Sequence, residues 1–218
     1  MSLRRREDGF TLVELLISIT ILGVVAVPLG NAIISYLHNS DATVARLAES
    51  HDAQMAQSFW AQDVASIGTR DWSTWPFHLQ QSVWTAAAGI SNPCSTTGTT
   101  VVQFSWDSLT TGSLPSAVPQ VRVAYVVEMA GTQRQLHRVT CTASSSSAVS
   151  SSPTSDTVLV HNLSSAGSDT QVAAVSCSST CTASPAVPPS VTLALTIDSP
   201  KDTDGPYAVS LNGQRRQT

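Results

Sequence analysis

From Phe10 to Leu37 the chain reads FTLVELLISITILGVVAVPLGNAIISYL, and apolar residues dominate every turn. Such a run is long enough to cross a bilayer as a helix. Three arginines, Arg4 to Arg6, precede it and would hold its start on the cytoplasmic side. A secretory signal has an apolar region of about 7–15 residues followed by a small-residue cleavage site. This run is longer, and it carries one charged side chain, Glu14. An acid at the bilayer centre costs roughly 2.5–3.5 kcal/mol on insertion scales, so it points to a function and to a missing partner. Pro28 lies inside the run between Gly23 and Gly30, which predicts a kink or local melting there.

The periodicity stays helical after Asn39, Ser40 and Asp41, although these are cap-type residues. Val44, Leu47, His51, Met55 and Phe59 recur at spacings of three and four, the pattern of one amphipathic face. One helix is therefore expected from about Phe10 to Ile67, ending near Gly68, with its second half packed on a globular domain. His51 on that face reads as a core histidine, because no other His or Cys stands at ligand spacing on the helix.

Beyond the helix the period shortens to that of strands. Thr100–Trp106, Val121–Met129, Gln135–Cys141, Thr157–Asn162, Val172–Ser176, Val191–Ile197 and Tyr207–Leu211 are β-type runs. The second and third read as a hairpin across Gly131. Turns, not helices, join the strands, which implies an antiparallel sheet and an α+β fold.

Composition sharpens this division. Only 12% of the 218 residues are charged, and 11 basic against 15 acidic side chains give a formal charge of −4. A basic nucleic-acid-binding surface is not indicated. Thr140–Thr157 holds eight Ser and four Thr in eighteen positions and reads as a solvent-facing loop.

The segment Gly9-Phe10-Thr11-Leu12-Val13-Glu14-Leu15, after the basic residues and before the long apolar run, resembles the class III signal of type IV prepilins and type II secretion pseudopilins. The resemblance implies cleavage between Gly9 and Phe10 by a membrane-embedded prepilin peptidase and N-methylation of Phe10. It implies that Glu14 neutralises the N-terminal amine of a neighbouring subunit. Physical chemistry agrees, since an ammonium and a carboxylate in low dielectric each relieve the other's cost. The order of parts also resembles the minor pseudopilin J and related minor pilins. In that group the first helix ends on an acid and an apolar residue, as at Asp63-Val64, and the last strand ends in basic residues, as in SLNGQRRQT.

The resemblance implies a pilin-like fold: a leader over 1–9, a membrane or filament-core helix over 10–38, the amphipathic half over 39–67 and a β domain over 68–218. The partners it implies are the peptidase, other pilins, an inner-membrane assembly platform, and membrane lipid before assembly. The domain would lie outside the cytoplasm, later in a periplasmic or surface filament serving secretion, adhesion, motility or DNA uptake. Loss of residues 1–9 removes three arginines, one glutamate and one aspartate, which leaves the remainder at −5. The alternative is an extracytoplasmic enzyme or binding domain held by an uncleaved helix.

Cys94, Cys141, Cys177 and Cys181 all fall in the exported part, where an even number favours disulfides over zinc. Of three pairings, Cys177–Cys181 is the simplest local loop and leaves Cys94–Cys141. Trp72, Trp75 and Trp84 read as a cap on the helix–sheet core, with a partner-binding patch as the alternative. Asp198, Asp202 and Asp204 read as a solvated turn, with calcium the alternative ligand and no other cofactor expected. No Gly-x-Ser-x-Gly, His-Glu-x-x-His or phosphate-cradling loop is present, so no enzymatic activity is expected.

Overall fold

The computed structural model describes residues 11–73, 75–90, 94, 97–109, 118–144, 148, 152–182, 187–198 and 205–216. The first element, α1, runs from Leu12 to Ser66. It continues unbroken through Pro28 and through Asn39, Ser40 and Asp41. The melting expected at Pro28 does not occur. A proline withholds one donor, here the partner of the Val24 carbonyl, while the turns on both sides keep their bonds.

The chain forms two compact units, Met1–Arg46 and Leu47–Thr218. The boundary therefore falls inside α1, some twenty residues before the first strand. In the described part of the first unit no large apolar side chain is buried, and Leu12 and Val24 are 76% and 75% exposed.

Among its described residues the second unit contains the end of α1 and ten strands. β1 (Thr69–Arg70) and β2 (Leu79–Gln80) form a small antiparallel ladder. The main sheet contains β3 (Val83–Thr85), β4 (Thr99–Asp107), β5 (Gln120–Ala130), β6 (Gln133–Ala143), β7 (Ser155–Leu163), β8 (Ala173–Cys177), β9 (Ser190–Ile197) and β10 (Tyr207–Gln214). A single helical turn, α2 (Asp169–Val172), stands before β8 where the sequence suggested the start of a strand. Among the described residues every ladder between these strands is antiparallel, in the order β10-β9-β7-β6-β5-β4-β3, and β8 shares the inner edge of β9. The expected hairpin is β5–β6, which turns at Gly131 with φ +65°, a backbone that favours glycine. A long helix packed on an antiparallel sheet is the α+β, pilin-like arrangement.

The helix face picked by the apolar spacing packs only at its C-terminal end, where Met55 and Phe59 lie partly buried against the core. Ala56, Trp60, Asp63, Val64 and Ile67 are buried, whereas Val44 and Leu47 are 62% and 65% exposed and His51 is exposed. The fully buried positions are offset by one from Met55 and Phe59, because the sheet encloses a small residue, Ala56, and a paired acid, Asp63, beside them. Trp60 is their centre. Its ring meets Phe104 and Tyr125 edge-on at 5.1 and 4.9 Å, and its Nε1 donates to the Val191 carbonyl at 3.1 Å. This satisfies the one polar atom of a large buried ring. Val64 comes so close to β10 that a Cβ at Gly213 would stand 2.5 Å from its own Cβ. Only glycine fits there.

Two further expectations change. Trp75 is 79% exposed and Trp72 and Trp84 are half-buried, so these tryptophans do not cap the core. The Ser/Thr-rich loop is shorter than expected, because Thr140–Ala143 belong to β6 and Ser155–Thr157 to β7. Cys141 and Ala143 are buried and Thr142 is exposed, the alternation of a strand with one covered face.

Candidate functional site

The N-terminal turn of α1 is built around one carboxylate. Thr11 precedes the first helical residue, and its Oγ1 accepts the Glu14 amide at 3.3 Å. In return, Glu14 Oε2 accepts the Thr11 amide at 3.1 Å and its hydroxyl at 3.0 Å. This is a reciprocal cap, Thr-x-x-Glu, and it places a negative charge at the positive end of the helix dipole. Gly9 and Phe10, the cleavage and methylation positions, lie outside the described residues. The hydroxyls further along are turned inward: Ser18 donates to the Glu14 carbonyl at 2.7 Å and Thr20 to the Ile17 carbonyl at 2.8 Å. Bonded this way, they leave little unsatisfied polarity on an apolar helix. By length and composition α1 can cross a membrane.

A second polar node joins the other end of α1 to the sheet. Asp63 is 1% exposed. Its carboxylate accepts both Arg138 Nε and Nη2 at 2.7 Å and the Tyr125 hydroxyl at 2.7 Å. Tyr125 and Arg138 are direct cross-strand partners on β5 and β6. The guanidinium also lies over the Phe59 ring, 5.0 Å from its centroid. Burial holds the Tyr125 hydroxyl well above its ordinary range, and the charge of Asp63 adds to the effect. A paired and fully bonded buried carboxylate acts as a lock, since removing either partner strands the other charge. Sequence reasoning reached Asp63 only through resemblance. The available signal was an acid on the helix and an arginine at an inward position of β6, in step with Leu136.

The remaining candidates fall into place separately. The disulfides are Cys94–Cys141, which ties the segment before β4 to β6, and Cys177–Cys181, a local loop after β8. Asp198 is engaged within the domain: its Oδ2 accepts the Ser165 amide at 2.8 Å, which holds the carboxyl below its usual range. Asp202 and Asp204 lie outside the described residues. No group of three His, Cys, Asp or Glu side chains suited to a metal occurs among the described residues.

Residues 4–30 match the prokaryotic N-terminal methylation motif. The match covers the arginines, the Gly9-Phe10 junction, Thr11, Glu14 and Pro28. It supports a type IV pilin-like or pseudopilin-like precursor, with the peptidase and other pilins as implied partners and membrane anchoring through α1. No curated protein and no solved structure matches the chain.

Proposed function

We propose that this chain is a minor pilin or pseudopilin. It is cut between Gly9 and Phe10, methylated on Phe10, and assembled through α1 into a type IV pilus-like filament or its tip. The observation that carries this is the capping carboxylate of Glu14 at the head of an exposed apolar helix, inside the methylation motif. Removal of the leader creates an ammonium at Phe10, about one helical turn from Glu14. In lipid, each charge seeks an opposite one, and pairing across subunits would set their axial stagger. The exposed apolar faces of α1 would then cover one another in the filament core. The order of parts in the second unit supports placement near pseudopilin J. The role is structural, without a catalytic step or resident cofactor, and the globular unit lies outside the cytoplasm.

Co-expression with a prepilin peptidase tests this. Intact mass should fall by residues 1–9, and replacing Gly9 with a bulky residue should block the loss. Glu14→Val should be processed normally yet enter filaments poorly. Unchanged mass with the active peptidase would favour an anchored extracytoplasmic domain instead, and normal incorporation of Glu14→Val would reject the pairing.

A further inference from the structure

Arg70, Arg215 and Arg216 line one groove of ≈ 340 Å³ beside the C-terminal turn of α1. Their convergence is uneven use of scarce charge on an acidic chain. The other described arginines of this unit are engaged elsewhere. Arg138 grips Asp63, Arg134 faces Asp169 and two loop carbonyls, and the buried Arg122 donates to the Ala148 carbonyl. The groove's own carboxylate is committed too. Asp107 Oδ2 accepts the Arg70 amide and Trp72 Nε1, both at 2.9 Å, and Oδ1 accepts Gln120 Nε2 at 3.3 Å. Among the described residues no carboxylate forms an ion pair with Arg215 or Arg216, and the buried Nε of Arg215 has no acceptor. A buried donor left unmade costs about 1–3 kcal/mol.

Helix capping does not account for these side chains. The Ala65 carbonyl at the end of α1 is taken by the backbone N–H of Arg216, not by its guanidinium. Beside the arginines stands an apolar lip. The Trp72 ring meets Phe77, which meets the outward Trp75, and Leu109 is 65% exposed. Arginine and tryptophan side by side, with aliphatic neighbours, are the composition of a protein–protein hot spot.

We propose that this groove docks an acidic segment of another protein. Its carboxylates would sit on Arg215 and Arg216 in the bidentate geometry guanidinium favours, and an apolar residue would lie against Trp72 and Leu109. The inference stands on residues 65–216 and does not depend on the assembly role of α1.

The test uses the full chain in detergent micelles and a fluorescent oligoglutamate peptide at low ionic strength, read by anisotropy. The wild type should bind, added salt should weaken binding, and Arg216→Gln should weaken it about tenfold, the equivalent of roughly 1.4 kcal/mol. Arg216 is exposed, so this variant should keep the fold. Arg215→Gln combined with it should abolish binding. Arg46→Gln, which changes the same charge outside the groove, should leave binding intact. Absence of binding, or an equal loss in Arg46→Gln, overturns the proposal. Tighter binding of polygalacturonate through the same arginines overturns the protein partner in favour of an anionic polysaccharide.

Discussion

Leu22 and Leu193 are the same residue type in opposite conditions. Leu22 is 70% exposed on the first unit's helix, and Leu193 is fully buried in β9. The contrast extends to the acids. At the helix head the Glu14 carboxylate, exposed, accepts bonds from Thr11, whereas Asp63 is enclosed by Arg138 and Tyr125. One region has spent its apolar surface on itself, and the other holds it in reserve. A long exposed apolar stripe is unfavourable in water, so the first region needs lipid or other helices to be stable. The second region needs neither. The lesson is that burial, not residue type, separates an element that folds the chain from one that assembles it.

The largest expected effect comes from breaking the enclosed acid. Asp63→Ala leaves the Arg138 guanidinium buried without its partner and should cost the second region about 3–5 kcal/mol. The denaturant midpoint of the globular unit should fall accordingly. Processing at the Gly9–Phe10 junction should be unaffected, because that junction belongs to the other region. If the midpoint holds, Asp63 is not the lock. If processing fails as well, the two regions are not energetically separate.

Slightly below that stands Leu193→Ala, a truncation in a fully enclosed site, which should cost about 2–5 kcal/mol depending on how far β9 relaxes. The same unfolding measurement reads it.

These two positions also show what the sequence could reveal. β9 was legible because VTLALTI alternates strictly, and the structure buries Val191, Leu193, Leu195 and Ile197 on one face. The β5–β6 hairpin was legible because Gly131 separates two strong β runs. The packing face of α1 was legible only in part, through Met55 and Phe59. Its deciding members include an alanine and an aspartate, and neither carries hydrophobic weight until Arg138 and Gly213 are known to stand opposite. Trp60 and Trp75 are alike in sequence, yet only Trp60 projects between Phe104 and Tyr125. The Gly9–Leu15 segment with its lone acid is one contiguous stretch, and Thr11 and Glu14 stand three residues apart in it, which is why the assembly end was readable and the Arg70–Arg215–Arg216 groove, built from distant segments, was not.

Alkaline pH should separate the regions more gently. Tyr125 is held well above its ordinary range by burial and by Asp63, and burial together with the charge of Glu49 pushes Tyr207 up to about 12. Unfolded, each phenol releases its proton near pH 10. Above that pH the folded unit binds more protons than the unfolded chain, so its stability falls as pH rises toward the folded values. Below about pH 10 the contribution is fully present. Unfolding midpoints should therefore slope downward above that pH, and Tyr125→Phe should flatten the slope. A flat wild-type profile would mean that the phenol is not enclosed as described.

The smallest effect is the most diagnostic. Leu22→Ala deletes the same atoms as Leu193→Ala, but at a position whose side chain meets no protein core. No cavity can form where nothing is packed, so the globular unit's stability should stay within about 0.5 kcal/mol of wild type. The loss should appear instead where lipid or a neighbouring helix replaces water. Each buried methylene is worth about 0.8 kcal/mol there, so several such substitutions along the exposed stripe should release the chain from membranes before they disturb its fold. Membrane flotation and denaturant unfolding on the same variants read the two quantities separately. A parallel fall in both would mean that the first region's apolar surface is part of the fold after all, and the contrast between Leu22 and Leu193 would collapse.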